Sequence, residues 1–305
     1  MHRPPLNRST VNVSAAAAAA LQCDVAPTLL ELRDRERGAT LVDPRKLDAT
    51  ARERLVDELF ATTGEARDAE ALRRFAAELV PAKATRSVLS VYRDDAGFAV
   101  GHLAFHEHEV DIDGASGLAL RGAVHLPKHL RSAEVGAFFL GQAARALLRA
   151  RGRPLYVAQA LSDPAAYAWL YRVADRVWPS PARQTPPVID SLREQLIAQL
   201  ELGDAVGCPE LRDVGTTLSA ASARRWRRHP RPEVHYFVGR NPGFDRGHGL
   251  VIVVPLSVGG LLRAYLRAYL QSLSASPLGR LLGRQRRPSL PPASPERHNR
   301  YSRRR

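Results

Sequence analysis

Three runs of alternating apolar and polar residues follow one another between Ser87 and Leu126, with only short turns between them. Ser87–Arg93 is closed by Asp94-Asp95-Ala96-Gly97, Phe98–Val110 is followed by Asp113-Gly114-Ala115-Ser116-Gly117, and Leu118–Leu126 completes the set. Period-two alternation marks a strand with one buried face. Turns this short join antiparallel neighbours, because a parallel pair needs a crossover of a dozen residues or more. The stretch therefore reads as an antiparallel meander.

The pattern then changes. Val135, Phe138, Phe139, Ala143, Ala146, Leu147 and Ala150 recur at helical spacing and mark one face of a long helix, with Gln142, Arg145 and Arg149 on its wet side. Arg151-Gly152-Arg153-Pro154 ends it, and Leu155–Leu161 is a nearly continuous apolar run, as a buried parallel strand would be. A strand–helix–strand of this length predicts a right-handed crossover pairing Leu118–Leu126 with Leu155–Leu161. The expected fold class is thus α/β (α+β): a mixed, mostly antiparallel sheet with a central parallel strand pair and flanking helices.

The flanks are read from caps and breakers. Thr40–Val42 is a short strand candidate. Asp48 and Asp68 can each cap a helix, the first burying Leu55, Val56, Leu59 and Phe60, the second Leu72, Phe75, Ala76 and Leu79. Asp163-Pro164 starts a helix running to about Trp178. Further on, Pro187 to Leu202 is a helix candidate, Val234–Val238 and Leu250–Leu256 are strand candidates, and Leu261–Leu273 is an amphipathic helix candidate. The resulting division is a poorly ordered lead (1–37), a core (38–178), a helical insertion (179–232), last strands and a C-terminal helix (233–273), and a disordered basic tail (274–305).

The formal charge of +14 invites a nucleic-acid reading, but only Lys46, Lys83 and Lys128 are lysines, and much of the excess lies in the arginines beyond residue 279. Aromatic interleaving there is limited to Tyr301, so no nucleic-acid partner is expected. Two cysteines, Cys23 and Cys208, form no CxxC pair; a zinc ribbon is excluded and a reducing cytoplasm is expected. Leu250–Leu262, the most apolar run, is short of the ~20 residues of a spanning helix. The alanine run Ala15–Ala20 lacks the Leu, Ile and Val of a signal peptide.

Two stretches carry chemistry. The first is Val124-His125-Leu126-Pro127-Lys128-His129-Leu130-Arg131-Ser132-Ala133-Glu134-Val135-Gly136, a strand running through a loop into a helix. The second is Ser162-Asp163-Pro164-Ala165-Ala166-Tyr167-Ala168-Trp169-Leu170-Tyr171. With the order of elements, these resemble the GNAT superfamily of N-acyltransferases over roughly Thr40 to Trp178. The family pattern in the first stretch is Val-x-x-Pro, an Arg, then Gly-x-Gly opening a helix. Pro127, Arg131, Val135 and Gly136 match it, and Glu134 stands where the first glycine would be. The second stretch is similar to the family's Asn-x-x-Ala-x-x-x-Tyr, with Asp163 in place of the Asn and Tyr171 one residue late.

The resemblance implies a GNAT-like fold, an acyl-CoA (first of all acetyl-CoA) as co-substrate and an amine of a small molecule or peptide as acceptor, with no metal. Helix N-terminal N–H groups would cradle the pyrophosphate, and the strand backbone would hold the pantetheine arm. The implied cofactor-binding residues are Val124, Leu126, Arg131, Ser132, Ala133, Val135 and Gly136. Tyr171, or Tyr167 one turn earlier, is the candidate acid for the departing thiolate; Glu107 and Glu109 are equal candidates for the base by position, and His125, at the strand end, is a candidate to orient a carbonyl or a water. His102, His106 and His108 share one strand face, which fits a solvent-facing strand end, a base or a metal ligand pair. Two alternatives stay open. One is a synthase of the N-acyl amino acid or homoserine lactone type fed by acyl carrier protein. The other is a catalytically inactive binding module.

Overall fold

The computed structural model of the chain describes residues 39–63, 68–126 and 133–275. The expected lead, the loop residues 127–132 and residues 276–305 lie outside these.

One eight-stranded sheet organises the described residues, in the order β1-β2-β3-β4-β5-β8-β7-β6. The strands are β1 (Ala39–Val42), β2 (Arg86–Arg93), β3 (Ala99–Ile112), β4 (Ala115–His125), β5 (Leu155–Leu161), β6 (Ala205–Val206), β7 (Cys208–Thr217) and β8 (Arg246–Leu256). β2, β3 and β4 form the expected meander, with Phe105 opposite Gly122 and His102 opposite His125. β4 and β5 are parallel, and β5 runs antiparallel to β8. The expected fold class, mostly antiparallel with one central parallel pair, is the one observed.

The helices are α1 (Ala49–Ala61), α2 (Ala69–Leu79), α3 (Ala133–Ala150), α4 (Pro164–Val173), α5 (Pro187–Leu200), α6 (Ala220–Arg227), α7 (Pro232–Arg240) and α8 (Val258–Ala275). Asp48 and Asp68 cap α1 and α2 as expected, each accepting from the backbone N–H of the third residue on at 2.7 Å. One sheet face packs α3, α4, α6, α7 and α8 through Phe138, Ala146, Tyr167, Ala223, Phe237 and Leu261. The other packs α1, α2 and α5 through Leu59, Leu79, Leu192 and Leu196. No helix among the described residues is long and apolar enough to cross a membrane.

Three sequence expectations are corrected. Val234–Val238 is not a strand but the middle of α7, where Pro232 opens the helix and Val234 and Phe237 point one helical turn apart into the core. Residues 179–232 hold more than helices, since β6 and β7 join the sheet and separate β8 from solvent. The helix from Pro164 stops at Val173 rather than Trp178, and Trp178 instead bridges to Val253 in β8.

Candidate functional site

The parallel ladder between β4 and β5 is only three residue pairs long: Leu118–Leu155, Ala119–Tyr156 and Leu120–Val157. Beyond it the two strands follow different partners. β4 continues on β3 as far as His125, and β5 continues on β8 until Leu161 meets Leu250. A wedge therefore opens in the middle of the sheet, widening toward the start of α3.

Three side chains line its narrow end. The Gly122 N–H, which in a continuous sheet would meet β5 backbone, donates to Gln159 Oε1 at 3.0 Å. Over the same residue lies the Phe139 ring of α3; a Cβ at position 122 would fall well inside contact distance of that ring, so the close approach requires glycine. From α4, Trp169 reaches the first turn of α3, where a Cβ on Gly136 would stand 3.3 Å from Trp169 Cζ2. Trp169 thus ties the two helices together above the wedge.

The residues singled out from sequence separate into four places. Val124 and Leu126 sit at the wide end of the wedge, Val124 exposed and Leu126 buried. Ala133, Val135 and Gly136 form the first turn of α3, with Val135 packed on the main core. Arg131 and Ser132 lie outside the described residues. His125, the last residue of β4, stacks its ring on His102 at 5.7 Å with an interplanar angle of 14°.

Tyr167 is fully buried and donates its hydroxyl to the Pro179 carbonyl at 2.9 Å. Burial pushes its phenol well above the ordinary range, with Tyr236 and Tyr171 adding to the effect. A hydroxyl so held is a packing anchor, and the acid role for Tyr167 is withdrawn. Tyr171 stacks on Tyr167 at 6.3 Å, on the α7 side of α4, whereas Trp169 packs on the α3 side. Helical geometry makes this division, because 167 and 171 share a stripe that 169 does not.

Glu107 is corrected as well. It is buried on the α3 face, where Arg149 engages both its oxygens, Nε to Oε2 at 3.1 Å and Nη2 to Oε1, while Arg86 Nε stands 3.7 Å away. Both its carboxylate oxygens are thus turned onto arginines, so Glu107 is not placed to take a proton from an acceptor amine. This pair also corrects the wet side assigned to α3: Arg149 folds under the helix onto the sheet, and Gln142 is buried.

His102, His106 and His108 are buried, not solvent-facing, because α2 and the turn after it cover that end of β3. His106 Nδ1 is 3.0 Å from Ser87 Oγ, and His102 meets Phe75 edge-on at 5.6 Å. Burial lowers the first two to about 3, helped by His125 at His102 and by His108 and Arg121 at His106. His108 falls to about 4 through burial and Arg121. All three are neutral at pH 7. Among the described residues no group of three or more His, Cys, Asp or Glu side chains could hold a metal ion.

Sequence reasoning missed Gln159 and Trp169. A trace of Gln159 was there, a lone amide inside the apolar run Leu155–Leu161. Trp169 stood between the two tyrosines that drew attention.

No protein-family profile matches the chain, and no curated protein matches it in sequence. Similar solved structures include a conserved protein of unknown function from Enterococcus faecalis, described as a probable N-acyltransferase, at a TM-score of 0.29 and 13% identity over 43% of this chain. A protein from Pyrococcus furiosus, provisionally described as an acetyl transferase, matches at a TM-score of 0.29 and 14% identity, over 48% of this chain and 99% of that one. A chimera of the spermidine N-acetyltransferase SpeG from Vibrio cholerae with hSSAT matches at a TM-score of 0.25 and 12% identity, over 42% and 75%. The chain spans 30% of the length of the Enterococcus faecalis protein. At these TM-scores the likeness carries no argument, and the architecture rests on the strand order and pairing given above.

Proposed function

We propose that the chain is an N-acyltransferase that draws an acyl group from an acyl-CoA, acetyl-CoA first among them, and passes it to an amine of a small molecule or peptide. The observation that carries this reading is the wedge: a parallel ladder of three pairs that opens toward the first turn of α3. An extended thioester arm adds to β4 there as a strand would. Its phosphates fall at the helix N-terminus, where unpaired N–H groups and the dipole favour anions.

In the reaction the acceptor nitrogen attacks the thioester carbonyl, the C–S bond breaks, the amine loses a proton and the thiolate gains one. The reading gives His125, at the wide end of the wedge, the base role. It gives Tyr171 the acid role, which asks that ring to leave its stack on Tyr167. Titration calorimetry with acetyl-CoA and a long-chain acyl-CoA tests the proposal. Saturable heat with either supports it, and none with both contradicts it.

A second reading, a binding module of the same fold without catalysis, is favoured by the Gly122–Gln159 hydrogen bond, which fills the narrow end of the wedge with the protein's own side chain. The two separate on thiol release in the presence of mixed amines. Binding without release, in both the native chain and Gln159→Ala, selects the module.

A further inference from the structure

The far end of α3 presents a different site. A cavity of about 670 Å³ opens there, lined by Arg145, Leu148, Arg149, Ala150, Arg151 and Arg153. It lies on the order of 20 Å along the helix axis from Gly136, so it is separate from the wedge. Four guanidinium groups border it, and two of them are fixed by carboxylates of β3. Arg149 is held by Glu107, and Arg153 by Glu109 at 3.3 Å and Ser116 Oγ at 3.2 Å. Arg145 and Arg151 have no carboxylate partner among the described residues.

Helix electrostatics do not account for this. The negative end of a helix dipole favours a cation, and Arg149 in the last turn already fills that place. With Arg86, which also faces Glu107, five arginines stand against two carboxylates. Arg151 is moreover held at φ 51°, in the left-handed region that glycine or asparagine adopts more readily. The turn thus keeps a bulky cation where a smaller residue would sit with less strain.

We propose that this cavity binds a ligand carrying a pyrophosphate or two neighbouring phosphates. Arg145 and Arg151 supply the free guanidinium forks, and Arg149 and Arg153 form the prepositioned wall. A guanidinium matches phosphate oxygens two at a time, which suits arginine rather than lysine in such a site. The probe is inorganic pyrophosphate, titrated calorimetrically into the full chain at constant ionic strength. The expected result is saturable binding that weakens at least tenfold in Arg145→Gln/Arg151→Asn and is unchanged in Arg73→Ala, an exposed arginine of α2 remote from both sites. Arg151→Asn keeps a residue that accepts the left-handed turn, and Arg145→Gln alone weakens binding in the same direction without touching the turn. No saturable heat overturns the proposal. So does equal affinity in the double variant, which puts the anion elsewhere, the first turn of α3 included. Acetyl-CoA titrated into the same double variant binds as it does to the native chain if the wedge reading holds, so the two readings can fail separately.

Discussion

Gly122 and Gln159 face each other across the gap between β4 and β5, joined by a 3.0 Å hydrogen bond from the Gly122 N–H to the Gln159 side-chain oxygen. A backbone group that would otherwise complete a sheet is satisfied by a side chain, and a side chain can be displaced. That makes the narrow end of the wedge a place where ligand and protein compete for one donor.

Gln159→Ala removes the competitor. The Gly122 N–H loses its partner, at a cost of about 1 kcal/mol in stability. Acyl-CoA affinity rises by severalfold, because the donor is free to meet the ligand. Denaturant unfolding and titration calorimetry on the same variant should move in these opposite directions.

Gly122→Ala drives a methyl group into the Phe139 ring. Destabilisation of about 1–3 kcal/mol is expected from overpacking at this position. Phe139→Leu in the same chain should recover part of it, so a double-mutant cycle in urea will show a coupling of opposite sign to the single substitutions.

Glu107→Gln leaves Arg149 and Arg86 facing a neutral amide. Breaking a fully buried pair costs about 3–5 kcal/mol, and the solvent that reaches Arg149, whose side chain is 36% exposed, lowers the expected loss to about 2 kcal/mol. The affinity for acyl-CoA should not change, since both oxygens of Glu107 face arginines and not the wedge.

Stability should fall as the pH drops below neutrality. His102, His106 and His108 have folded-state values of about 3, 3 and 4 against an ordinary 6.5. Between those limits the unfolded chain binds protons that the folded chain does not. Stability is therefore complete above about pH 6.5 and is lost as the pH falls toward 3–4, each histidine contributing up to about 1.4 kcal/mol per pH unit. Urea midpoints at pH 7 and pH 5 measure the slope, which should be shallower in His102→Gln than in the native chain.

Much of this architecture was legible because it rests on local pattern. The meander followed from alternation and two short turns, and the caps at Asp48 and Asp68 from single residues next to apolar stripes. Val234–Val238 misled because a short apolar run reads the same in a strand and in a helix; Pro232 at the helix start decided it. β7 was hidden because Pro209, Glu210, Arg212, Asp213 and Gly215 break its apolar pattern, and it is held by pairing to β8 instead. The wedge was foreseen only as a question. Its contents were not, because which of Tyr167, Trp169 and Tyr171 faces α3 depends on where α4 docks, and no spacing in the sequence fixes that.

Hydrogen exchange on the full chain, with and without saturating acetyl-CoA, tests the central claim most directly. The account predicts that added protection concentrates on residues 121–125 of β4 and the first turn of α3 from residue 133, with smaller changes in β5. Protection confined to other elements, or none at a concentration where calorimetry shows saturation, would contradict it.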